Sequence, residues 1–246
     1  ASYNKGTTQQ RKDQSEQIMQ RWIKADAGRQ ARFAPALKNL QELSEQNIEF
    51  QQRDLILGYF GYAQTFSTAR KLYRLAHESA KPNEERETGY QDRDLERFNA
   101  SLKRMSRSFD PQVDLEIALH VLKHYSQLPA KQRVAAIDSF FGLTGADVDE
   151  KALKEKLQTM YQQTKLGDEI ERLAWVGKSV DDFKASEDPM IQFAVAMFET
   201  DLAEENKSKE LMGQLAVARP KVMEAVIAFN KTQNKPRSEE RRVGKE

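Results

Sequence analysis

The chain has 246 residues, with 39 Lys and Arg against 38 Asp and Glu, so no field of one sign draws it to nucleic acid or an anionic membrane. Apolar residues make up 39% and charged residues 31%, and the few Gly (11) and Pro (7) argue against a turn-rich sheet fold. Cysteine is absent, which excludes disulfides and thiolate metal sites, and no window approaches the roughly 20 apolar residues needed to span a bilayer.

Residues 7–24 place Ile18, Met19, Trp22 and Ile23 on one side of a polar helix. Asp26 stands where an N-cap would open a second helix reaching about Gln46. Its apolar positions Phe33, Leu37, Leu40 and Leu43 step by three or four, and Pro35 falls early in it. The stretch from Ile48 to Leu95 organises the rest. Its first two-thirds predict the longest and most apolar helix, about 48–79, which would reach roughly 48 Å. Leu55, Tyr59, Tyr62, Phe66, Ala69, Tyr73 and Ala76 form one continuous face, which Ile56, Phe60, Ala63, Leu72 and Leu75 widen. Gly58 and Gly61 cost roughly 1 kcal/mol each in a helix interior, so a close crossing or a bend is expected there.

Lys81, Pro82 and Asn83 end that helix, and residues 84–92 form a charged loop. The next helix, about 92–107, turns Leu95, Phe98, Leu102 and Met105 inward. Asp110 and Pro111 then open a helix carrying Val113, Ile117, Leu119, Leu122 and Tyr125, which stops before Pro129. A short helix over about 130–141 ends at Gly142. Another, about 148–163, carries Leu153, Leu157, Met160 and Tyr161, and Ile170, Leu173 and Trp175 mark a brief one after Gly167. Asp188 and Pro189 repeat the proline start and open a long pattern over 190–230, which Pro220 is expected to kink or break. The fold class is all-α: an irregular bundle of eight to ten helices around the central helix at about 48–79, with no sheet and no solenoid repeat.

Little here is equipped for catalysis. Of the three histidines, His120 and His124 are four apart on one helix and face the same way. No third ligand is evident, and the residues between them are not those of a zinc-protease helix. Metal is therefore not expected, and neither is a cofactor. No G-x-S-x-G turn or phosphate-cradling glycine loop occurs. The acidic run Glu84, Glu85, Glu87, Asp92, Asp94 and Glu96 offers carboxylates for acid–base work. It alternates with Arg86, Arg93 and Arg97, so a salt-bridged loop is the stronger reading. The aromatic residues of the central helix are core before they are a ligand box. No catalytic or metal residue is assigned, and any substrate-binding residues stay open.

Residues 53–95, with RDLILG, then ARKLYRLA, then KPNEERETGYQDRDL, resemble the bacterial periplasmic serine dipeptidyl-peptidases of the dipeptidyl-peptidase 7 and 11 group. The resemblance covers RWIKADAGRQARF (Arg21–Phe33), where the family more often has Pro at Ala27, and FDPQVDLEIALHVLKHYSQLPAKQR (Phe109–Arg133). It continues through TKLGDEIERLAW (Thr164–Trp175), ASEDPMIQFAVAMF (Ala185–Phe198) and RPKVMEAVIAFNKTQNKP (Arg219–Pro236).

In that family a chymotrypsin-like double barrel carries a Ser-His-Asp triad, and a helical domain is inserted between the barrel halves. The resemblance implies that residues 1–236 are this inserted domain alone, with the His and Asp before it and the Ser after it. The implied role is to cover the cleft and gate access of peptides, whose N-terminal dipeptides the parent releases. Peptide substrates would meet it through the barrel domains, with no nucleic acid, no membrane and no cofactor. The parent would be periplasmic, with a homodimer as one option.

The final run, residues 237–246, reads as the in-frame translation of a sequencing adapter, an ordinary charged terminus being the alternative. Setting it aside leaves 35 cations against 35 anions. The rival for the whole chain is a stand-alone helical scaffold or protein-interaction module without catalysis.

Overall fold

The computed structural model describes residues 3–143 and 149–233. Among these residues there are ten α-helices, four 3-10 turns and no strand. In chain order the helices are α1 (Tyr3–Lys24), α2 (Ala27–Tyr59), α3 (Gln64–Ser79), α4 (Leu95–Met105) and α5 (Pro111–Ser126). They continue with α6 (Ala135–Phe141), α7 (Glu150–Gln163), α8 (Glu169–Leu173), α9 (Val180–Lys184) and α10 (Pro189–Thr232). The all-α expectation holds. The expected tail at 237–246 lies outside the described residues.

The chain divides into two compact units. One comprises residues up to 49 and from 206 onward, and the other comprises residues 50–205. In the first unit, Met19, Ile23, Phe33, Ala225 and Phe229 form a small core, with Trp22, Leu37 and Val226 packed on it. The Trp22 ring lies 6.1 Å from Phe33 and 5.6 Å from Phe229, with the Arg29 guanidinium 4.5 Å above it. Asp26 accepts the Arg29 backbone N–H at 2.7 Å, as expected of the N-cap of α2.

The second unit is built on α3, whose Phe66, Ala69, Leu72, Tyr73 and Ala76 are buried. Phe66 meets Phe193 edge to face at 4.9 Å, and Phe60, Phe140 and Phe141 surround that pair. Its helices are punctuated by acidic and serine caps. Asp110 accepts from Gln112 and Val113 beside Pro111 at N1, Asp168 accepts from Ile170 and Glu171, and Ser179 and Asp182 form a reciprocal capping box. Gly142 closes α6 in the left-handed conformation, φ 72°, which glycine adopts without steric cost.

The helix expected over about 48–79 is two helices. The boundary expected near Gln46 does not exist, and α2 runs straight through it to Tyr59. The chain then makes a 3-10 turn over Phe60–Tyr62, and Ala63 is extended at φ −74°, ψ 95°. The cause lies in another helix. The buried Asp114 carboxylate of α5 accepts the Gln64 N–H, and the Thr65 N–H at 3.0 Å, so α3 is capped from across the unit. The apolar face divides accordingly: Phe66 to Ala76 are core, whereas Leu55, Tyr59 and Tyr62 are 61%, 48% and 67% exposed. Gly58 and Gly61 have nothing within 4 Å of an added Cβ, so they mark the break and not a close crossing.

Pro220 does not break α10, which continues helical to Thr232. Leu215 and Ala218 before it and Ala225 and Phe229 after it are all buried, so packing holds the helix on both sides of the missing N–H.

Candidate functional site

The densest polar constellation lies where α3 meets the loop behind it and the first half of α10. Arg70 grips Asp201 with two parallel bonds, Nε to Oδ2 at 2.7 Å and Nη2 to Oδ1 at 2.6 Å. One turn on, Arg74 reaches Glu78 at 2.8 Å and Glu205 at 3.6 Å. Glu78 is 1% exposed and also takes the Lys81 ammonium at 2.9 Å and the Glu87 N–H at 3.0 Å. Burial raises the Asp201 carboxyl above its ordinary value against the pull of Arg70. Burial also works to raise Glu78, but the Glu87 N–H, Lys81 and Arg74 outweigh it and hold that carboxyl below its usual range.

The charged loop is built rather than loose. Arg86 donates to the Lys81 carbonyl at 3.0 Å and pairs with Asp92 at 2.8 Å. Asn83 accepts the Asp92 N–H at 2.8 Å, and Asp94 accepts the Gly89 N–H at 2.9 Å where φ reaches 99°. Two carboxylates of the acidic run, Asp92 and Asp94, therefore close the loop on itself. Glu84, Glu85 and Glu96 face solvent. The expected salt-bridged loop holds for Arg86, but not for Arg93 and Arg97, whose side chains make no ion pair among the described residues.

The histidines are placed apart from this cluster. His120 and His124 meet at 4.4 Å between ring centroids, on a groove of about 1110 Å³ walled by Tyr59, Tyr62, Val113 and Ile117. Among the described residues, no group of three or more His, Asp or Glu side chains converges on a metal position. His77 stacks on Phe198 at 3.8 Å, with Tyr73 edge-on at 4.7 Å, and its Nε2 is buried without a hydrogen-bond partner. Burial, and then Lys184, lowers its pKa. The Ser44, Ser101 and Ser126 hydroxyls donate to carbonyls, and those of Ser106 and Ser179 to carboxylates. No serine–histidine hydrogen bond occurs among the described residues.

Two buried anchors, Asp114 and Arg172, escaped the sequence reading, and a third residue expected in the core, Tyr125, proves to be a polar anchor as well. Asp114 holds Tyr161 Oη at 2.8 Å besides its two backbone donors. Burial, then the Asp114 charge, pushes the Tyr161 phenol far above its ordinary value, so it remains a donor. Arg172 is fully buried and spends its guanidinium on the carbonyls of Leu102 (3.1 Å), Leu166 (2.7 Å) and Gly167 (3.0 Å) and on Ser106 Oγ (2.7 Å). That arrangement pins the end of α4 to the start of α8 without a directly paired carboxylate. Tyr125 accepts the Val134 N–H at 2.5 Å and lies 2.9 Å from Asp138, and burial raises its phenol to about 12. The signal for Asp114 was present: an acid on the apolar stripe of α5, beside Leu115 and Ala118.

Among the described residues no helix is long and apolar enough to cross a membrane. The chain is 40% identical over 197 residues to an Asp/Glu-specific dipeptidyl-peptidase of Shewanella putrefaciens. That match covers 79% of this chain and 26% of the relative, so the chain spans only about a quarter of that protein's length. The model of the peptidase S46 family matches residues 1–237, nearly end to end. The chain belongs to the peptidase S46 family.

Proposed function

We propose that this chain is the helical cleft-covering part, residues 1–236, of a serine-type dipeptidyl-peptidase, a periplasmic enzyme that releases dipeptides from peptide N-termini. The observation that carries this reading is the 40% identity over 197 residues to a dipeptidyl-peptidase of which the chain spans 26%. The histidines, none of them bonded to a serine among the described residues, favour placing bond cleavage in other parts of the parent. The helices would then supply shape and closure, excluding water as substrate is admitted. The relative is named for Asp/Glu specificity, so an acidic residue at the cleavage position is the preference to test first.

The test is hydrolysis of fluorogenic dipeptidyl substrates, acidic and apolar at the penultimate position. The parental open reading frame is assayed beside this chain. Release by the parent and none by this chain is expected. Turnover by this chain would overturn the placement of the catalytic groups, and a parent inactive on all dipeptidyl substrates would overturn the activity.

A further inference from the structure

We propose that the face of α4 bearing Arg97 and Arg104, flanked by the exposed Arg93, Lys103 and Arg107, is a docking face for acidic peptides. Between Arg93 and Arg107 the chain carries five cations against two carboxylates, Asp94 and Glu96, in a protein whose net charge is only +1. All five cations are exposed. None makes a side-chain hydrogen bond or ion pair among the described residues. By contrast, Arg70, Arg74, Arg86, Arg133 and Arg172 are all engaged. The local carboxylates are partly spent: Asp94 takes the Gly89 N–H, and Glu169 of the neighbouring α8 takes the Ser106 hydroxyl.

Helix electrostatics explains only part of the pattern. Lys103 and Arg104 sit in the last turn of α4, where they offset the negative end of its dipole. Arg97 sits in the first turn, where a cation opposes the dipole, and Arg93 and Arg107 lie outside the helix. An unpaired guanidinium kept against its own helix points to an outside anion. Arg97 and Arg104 are seven residues apart, so they share a face about 10.5 Å apart along the axis. A polyproline II chain, with three residues per turn and about 3.1 Å rise per residue, returns every third side chain to the same side after about 9 Å, close to that spacing. Guanidinium forks suit carboxylates, which they can grip with two parallel bonds. The only aromatic residue in this stretch, Phe98, is half-buried against the core and offers no stacking platform for bases, so acidic peptide is favoured over nucleic acid. The inference deepens the proposed peptidase role, on which its substrate identity rests: the face would concentrate acidic peptides on the helical part and speed their encounter with the parent.

The experiment is fluorescence anisotropy of rhodamine-labelled peptides on the 246-residue chain, using Asp/Glu-rich, Gly/Ser and Lys-rich sequences at about 0.02 M and about 0.2 M salt. The expected result is binding of the acidic peptide alone, weakened about tenfold by the higher salt and about tenfold by R97E/R104E. A K71E/K178E control, with the same change of charge elsewhere, should leave binding unchanged. R97Q/R104Q serves should the reversal reduce helicity by circular dichroism. Equal binding of the Gly/Ser peptide, an unaltered R97E/R104E or R97Q/R104Q variant, an equal loss in the control, or displacement of the acidic peptide by a single-stranded DNA oligonucleotide at lower concentration would each overturn the proposal. Binding needs no turnover, so an inactive parent with intact acidic-peptide binding sinks the peptidase reading alone. An active parent whose helical part binds no acidic peptide sinks this one alone.

Discussion

A carboxylate only 2% exposed sits on the apolar side of α5 because three donors meet it: the Gln64 and Thr65 N–H groups and the Tyr161 hydroxyl. Removing it strands those donors, so Asp114→Ala should cost about 3 kcal/mol in urea denaturation, and Tyr161→Phe about 1–2 kcal/mol. A loss below about 1 kcal/mol for Asp114→Ala would mean the start of α3 is held by something else. Acid should act through the adjacent pair His77 and Glu78. The His77 pKa is lowered from 6.5, so the unfolded chain takes up the proton first and stability declines as pH drops below that value. Glu78 is lowered from 4.5; its contribution is present above that pH and is lost as pH falls through the lower folded value. Melting temperature against pH should therefore fall in two limbs. His77→Phe should flatten the upper limb and Glu78→Gln the lower, and a curve unchanged by either would contradict this.

Within the elements, Pro220 leaves the N–H of one turn of α10 missing in an otherwise continuous helix of 44 residues. Pro220→Ala should restore that bond and stabilise the protein by about 1–3 kcal/mol, read as a raised thermal midpoint. No gain would mean that α10 is strained into shape by its neighbours regardless of that residue. The starts of α5 and α10 were legible, because Asp110 with Pro111 and Asp188 with Pro189 are local signals, and so was the end of α6 at Gly142. The core face of α3 was legible from its 3.6-residue period. The break before α3 was not, since its cause, Asp114, lies about 50 residues away and periodicity sees only neighbours. The two glycines that reported it read equally well as a crossing point. Arg172 was illegible for a related reason: composition places an arginine outside, and only the carbonyls of Leu102, Leu166 and Gly167 bring it in. The unpaired arginines of α4 were hidden by alternation with acids, which suggested partners that the fold assigns elsewhere.

At the scale of the molecule, the two core clusters share no residue, one running from Phe60 to Met197 and the other using Met19 to Phe33 with Ala225 and Phe229. A fragment of residues 50–205 should therefore keep its helical circular dichroism and melt cooperatively by itself. A non-cooperative, molten fragment would show that its core needs the other unit. The cap on α3 also sets a timetable. A nascent chain that has just exposed Gln64 to the cytosol or a translocation channel lacks the carboxylate that starts this helix. At about 5–20 residues per second, Asp114 follows only about 3–10 s later. Until then the apolar face of this segment, Phe66 to Ala76, is an aggregation-prone stretch awaiting its cap, a natural client for chaperones. A translation pause placed before Asp114 should lower soluble yield more than the same pause placed after it.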